Sequence, residues 1–115
     1  MKIADAEQQF IESARLHGLY TRHRQFAATT AEYNKIVAAL RVLRALPDRG
    51  QDFLLGCVTD PDPSVVTWAA LYLLPYRENE AVQALSRVTQ SDTGLIGLGA
   101  EKTLEEWRAG RLTVE

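Results

Sequence analysis

The chain has one cysteine, Cys57, in 115 residues. A single thiol excludes an internal disulfide, and no Cys/His spacing matches a metal site, so no metal or other cofactor is expected. No apolar run approaches the roughly 20 residues that span a bilayer, so no membrane contact is expected. The opening MKIADAEQQF contains acidic residues and no long apolar stretch, which is not how a secretory leader reads. A cytoplasmic location is therefore the expectation. Period-two alternation is missing, and β-branched residues are scattered rather than grouped, so no strand is expected. Neither sign of charge dominates: 13 Lys and Arg stand against 15 Asp and Glu, a formal net charge of -2. Without a clustered basic face, nucleic acid is not an expected partner.

What is present suits one folded domain covering residues 1–115. Hydrophobic residues are 46% and charged residues 24%, the balance of a globule rather than a disordered tail. Charge is unevenly placed, with Lys and Arg in excess up to Cys57 and Asp and Glu in excess from Val58 onward. An acidic C-terminal surface follows.

The segment DPDPSVVTWAALYLL at 60–74 organises the rest. Asp62 can cap a helix and Pro63 fits the first helical position, where its missing N–H costs nothing. Val66, Ala69, Ala70 and Leu73 share one face, while Trp68, Leu71 and Leu74 make other faces apolar too. A helix apolar nearly all round is enclosed by neighbours. Pro75 ends it.

Around this central helix the chain reads as five more. A first helix is expected over 3–17, with Ile3, Ala6, Phe10 and Ala14 as its stripe and Gly18 as its stop. A second runs from Thr21 or Arg24 to Leu46, with Phe26, Tyr33, Ile36, Val37, Leu40 and Leu43 within about 120° and with Glu32 and Lys35 on the polar side. Pro47 is expected to end it, followed by a turn at Asp48, Arg49 and Gly50. Short helices follow over 50–58 and 80–89, the latter with Ala81, Ala84, Leu85 and Val88 inward. The last covers 95–109, with Ile96, Gly99, Ala100, Thr103 and Trp107 inward and Gly110 as its stop.

An internal repeat appears at an offset of thirty: Val58 maps to Val88, Asp62 to Asp92, Val66 to Ile96, Ala70 to Ala100 and Leu74 to Leu104. Each copy reads as a short helix, a turn with an Asp, and a longer helix. Units that cannot bury their faces singly must stack. The expected fold is all-α, a HEAT-like right-handed stack of about three helical hairpins, six helices in all, the first hairpin the most divergent. DPDPSVVTWAA resembles the second-helix signature of HEAT repeats, although the place where such repeats often carry Arg holds Val66. From LYLLPYRENEAV through GLIGLGAEKTLEEWRAGRL the chain resembles a small bacterial family catalogued as domain of unknown function 2019, most specifically in GLGAEKTLEEW. That resemblance implies a compact HEAT-like fold and brings no catalytic residues. Small proteins of this kind suggest, by analogy, immunity proteins that neutralise bacterial toxins.

The residues capable of chemistry are few. His17 and His23 lack a third ligand. Cys57 lies on an apolar helix and reads as a small buried hydrophobe rather than a nucleophile. Capping accounts for Asp60 and Asp62. GLIGLG at 94–99 lacks the strand and the Lys-Ser/Thr of a phosphate loop. For the basic patch of Tyr20, Arg22, His23 and Arg24, a solvated connection and a contact with an anion or an acidic partner both stay open. Glu101, Glu105 and Arg108 align on one outward side of the last helix, as the wet face of a terminal cap or as a binding stripe. Tyr72 and Tyr76 beside Arg77 are either half-buried packing or interface anchors.

The expected function is a non-enzymatic protein-interaction module. Tyr33, Tyr72, Glu101 and Glu105 are its candidate contacts, on an inner layer of longer helices. A partner with a basic cleft, such as a nuclease-like toxin, suits the acidic half. The rival is a small ligand-binding protein or enzyme with a pocket between the N-terminal helices and the central one, marked by converging His17, Tyr20 and His23. A third reading, a self-associating subunit, requires an apolar patch over Leu71 and Leu74.

Overall fold

Pro63 and Asp62 set the start of the innermost helix. In the computed structural model, which describes residues 1–114, the Asp62 carboxylate accepts from the Ser64 N–H at 2.8 Å, with Pro63 at the first helical position. Asp60 repeats the device one step earlier, accepting from the Asp62 N–H at 2.8 Å. Six helices make up the described residues, and no strand occurs among them: α1 (Ile3–Arg22), α2 (Phe26–Arg44), α3 (Pro47–Cys57), α4 (Pro63–Leu73), α5 (Glu78–Ser91) and α6 (Leu95–Arg108). They pack as a stack of helical hairpins. Its radius of gyration is 13.1 Å, near the roughly 13 Å of a compact chain this long. None of these helices is long and apolar enough to cross a membrane.

α4 is the hub, packed by α1, α3, α5 and α6. Ser64, Val65, Val66, Ala69, Ala70 and Leu73 are buried along it, within one core that draws on all six helices. The α5 face is the expected one, Ala81, Ala84, Leu85 and Val88 all being buried. The repeat survives at its main points. Val58, Val66, Ala70 and Leu74 are buried, as are their counterparts Val88, Ile96, Ala100 and Leu104. Asp92 also matches Asp62 in role, its carboxylate accepting from the N–H groups of Gly94 at 2.9 Å and Gly97 at 3.1 Å at the start of α6. The helices within a copy are equal rather than short then long: α3 and α4 have 11 residues each, α5 and α6 have 14.

Several boundaries differ from expectation, each for a local reason. Gly18 does not stop α1; it is buried inside it. A Cβ there would collide with Ser64, so glycine marks the closest approach of α1 to α4. The Ser64 hydroxyl donates to the Ala14 carbonyl at 2.7 Å across the same crossing. α1 stops at a Schellman motif. The Gln25 N–H bonds the Tyr20 carbonyl at 2.9 Å, the Arg24 N–H bonds that of Thr21 at 3.0 Å, and Arg24 takes φ 56°. Pro47 begins α3 rather than ending α2, because Leu46 before it has left the helical region, at φ -124° and ψ 81°. Asp48, Arg49 and Gly50 are then the first turn of a helix.

Two helices are rotated from their predicted faces. α2 buries Thr29, Glu32, Ile36, Ala39, Leu40 and Leu43, whereas Phe26 and Tyr33, both expected inward, are 58% and 44% exposed. α6 buries Ile96, Gly97, Ala100 and Leu104. The close approach belongs to Gly97, whose Cβ would strike the Asp92 carbonyl, while Gly99 is exposed with open space around it.

Candidate functional site

Enclosure of α4 leaves one strip of it at the surface. Thr67, Trp68, Leu71 and Tyr72 lie at intervals of three and four and are only half-buried, with buried residues on either flank. The Trp68 ring is the centre of an aromatic row. His17 meets it edge-on at 4.9 Å, Tyr33 is tilted against it at 5.8 Å, and Tyr72 stacks along it at 6.2 Å. The Arg44 guanidinium lies over the Tyr72 ring, 5.5 Å from its centre. The row spans the seam between α2 and α4 and reaches α1, so three helices hold it.

Two of the predicted contacts, Tyr33 and Tyr72, are thus brought to the same tryptophan. The other two are not. Glu101 and Glu105 are exposed on α6, as is Arg108. Beside Leu95 and Ile96 at the start of α6, Gly99 and Thr103 border the strip, in a hollow shared with Trp68 and Leu71. Glu101 is two positions past Gly99 and Glu105 two past Thr103, about 200° round the helix and on the far side from Trp68. Trp107, expected inward, is half-buried, and its indole N–H donates to Glu78 at 2.8 Å. Trp68 and Arg44 are the members that sequence reasoning missed. The available signal was the spacing of four that joins Trp68, Tyr72 and Tyr76.

A hollow of about 220 Å³ opens between α2, α3 and α4, walled by Leu40, Leu43, Leu54 and Tyr72 and bordered by Arg44 and Tyr76. The three residues expected to mark a ligand pocket do not converge there. His17 borders the separate hollow beside Trp68, and neither Tyr20 nor His23 borders either one. No group of three His, Cys, Asp or Glu among the described residues is placed to hold a metal. Nor is there an apolar patch over Leu71 and Leu74, since Leu74 is fully buried.

Burial tunes one titratable group of the row, His17. His17 titrates below its usual value because burial disfavours the imidazolium, an effect that the nearby Glu32 carboxylate opposes. Neutral His17 therefore packs against Trp68 as an aromatic ring. Glu32 receives Lys35 Nζ on Oε2 at 3.2 Å, while its Oε1 is buried with no partner. Away from the row, burial pushes the Cys57 thiol up to about 12, so it stays protonated and unreactive at neutral pH. In the basic patch, Arg22 pairs with Asp92 at 3.8 Å, and Arg24 serves the end of α1.

No protein-family model, curated protein or solved structure matches the chain.

Proposed function

We propose that the chain is a non-enzymatic protein-interaction module that grips its partner along the α2–α4 seam, with Trp68 and Tyr72 at the centre and Tyr33 and Arg44 beside them. One observation carries this reading. The most enclosed helix in the molecule reaches the surface along a single strip, and that strip carries Trp68 and Tyr72 beside the Tyr33 ring of α2. Clustered Trp and Tyr with an adjacent Arg is the composition of binding hot spots, because rigid rings offer large contact area at little entropic cost. A place among small HEAT-like bacterial proteins belongs to the same proposal, supported by the hairpin stack and the Asp62–Pro63 helix start. So does a cytoplasmic setting, in which an unpaired thiol such as Cys57 is the ordinary state.

The immunity-type form of this reading, capture of a basic toxin domain, assigns contact to Glu101 and Glu105 as well. Because those glutamates lie away from the aromatic row, the two faces are separable by experiment. The partner is first isolated by affinity capture from the native host and identified, and its affinity is then measured by calorimetry. Tyr33→Ser with Arg44→Ser should weaken binding at least tenfold and leave thermal unfolding nearly unchanged, both positions being exposed. Glu101→Lys with Glu105→Lys should have little effect. The reverse pattern would move the contact to α6.

The hollow between α2, α3 and α4 favours a second reading, a small-ligand binder. Its volume of about 220 Å³ falls below the roughly 300–1,000 Å³ of small-molecule sites, which ranks this reading second.

A further inference from the structure

The hollow between α2, α3 and α4 shares Tyr72 and Arg44 with the aromatic row, so the two form one continuous surface. Leu40, Leu43, Leu54 and Pro47 make the rest of its lining chiefly apolar. A dry cavity of about 150 Å³ accepts a benzene ring, so about 220 Å³ holds one ring or one branched aliphatic group and little more. Arg44 is the single charged residue in the lining. Its guanidinium rests on the Tyr72 ring and takes part in none of the ion pairs among the described residues. A guanidinium carries five N–H donors in a plane and suits a carboxylate. Arg41, one turn earlier on α2, is exposed as well and adds to the positive field there.

We infer that this hollow is a socket for one bulky apolar side chain of the protein partner, Phe, Leu or Met, with a carboxylate beside it that pairs with Arg44. The inference rests on the α2–α4 seam being the contact surface. It deepens that reading by naming the partner's chemistry: an apolar anchor flanked by acid.

N-acetylphenylalanine, which places a carboxylate next to an aromatic side chain, is a suitable probe, and its amide is the neutral control. Titrated into the full chain labelled with ¹⁵N, the acid should give saturable shifts at the amides of Gly50, Gln51 and Leu54, with binding at least fivefold tighter than that of the amide. Arg44→Gln should erase the difference between them. Leu54→Phe should block both by filling the hollow; Gln51→Trp, at a half-buried position of the lining, does the same where Leu54→Phe fails to fold. Equal affinity for acid and amide, or no saturable shift at these residues, would overturn the socket. If the probe fails while Tyr33→Ser still weakens partner capture, the socket falls and the interaction surface stands. Probe binding combined with partner capture indifferent to Arg44→Gln removes the partner's side chain as the occupant.

Discussion

Glu32 is the residue whose environment departs furthest from its chemistry. It is 5% exposed, and one carboxylate oxygen has no hydrogen-bond partner. An orphaned buried acceptor loses its hydration with no return, at a cost of about 1–3 kcal/mol. Its ion-pair partner Lys35 is mostly in water, so removing the acid strands no buried charge. Glu32→Met should therefore raise stability by about 1 kcal/mol, read from the urea midpoint; a loss instead would mean that the carboxylate organises the α1–α2 contact. The neighbouring His17 gives a pH signature. Its folded-state pKa lies below the ordinary 6.5, so on acidification the unfolded chain takes up the proton first. Stability linked to His17 is complete above that ordinary value and is lost as pH falls through it toward the folded pKa. His17→Gln should flatten the curve of unfolding free energy between pH 7 and 5. An unchanged slope would place the titration elsewhere.

Among the elements, the starts of α1, α4 and α6 were readable, the start of α3 at Pro47 was not, and several helix faces and ends were less so. Asp62, Pro63 and the start of α6 at Leu95 are where the residues put them, because a cap is a local bond between neighbours in the chain. The end of α1 was misread because glycine serves two purposes. Gly18 permits close backbone approach, while the left-handed position at the true end is held by Arg24. A non-glycine residue there costs about 1–2 kcal/mol. Arg24→Gly should thus stabilise the fold by about 1 kcal/mol in thermal unfolding, the gain reduced by the greater freedom of glycine in the unfolded chain. A decrease would show that the Arg24 side chain contributes more than its backbone strain costs.

On the scale of the whole molecule, the crossing of α1 over α4 is the decisive contact. Gly18, Ser64 and Ala14 bring two backbones together there, and α1 reaches α6 as well. Gly18→Ala would force a Cβ into Ser64, and such overpacking costs about 1–3 kcal/mol. The loss should appear in unfolding and also as a changed environment of Trp68 in near-ultraviolet circular dichroism, because His17 beside it moves with α1. Unfolding at the parent midpoint would mean that the crossing is loose.

The residues alone determined that this chain is all helical, where its central helix begins, and which faces of α4 and α5 turn inward. Those features depend on neighbours one to four positions apart, and that is the range over which capping and helical periodicity act. Only the tertiary structure decided that Glu32 rather than Tyr33 is buried on α2, that Gly18 is a crossing point, and that Tyr33, Trp68, Tyr72 and Arg44 meet. The α2 stripe could be drawn through either set of residues, and the rotation was settled by packing against the preceding helix α1, a contact beyond the reach of capping and periodicity, at the expense of one buried carboxylate. The gathering of the aromatic row follows from the same cause: the strip of α4 that neighbours leave open is defined by where they lie.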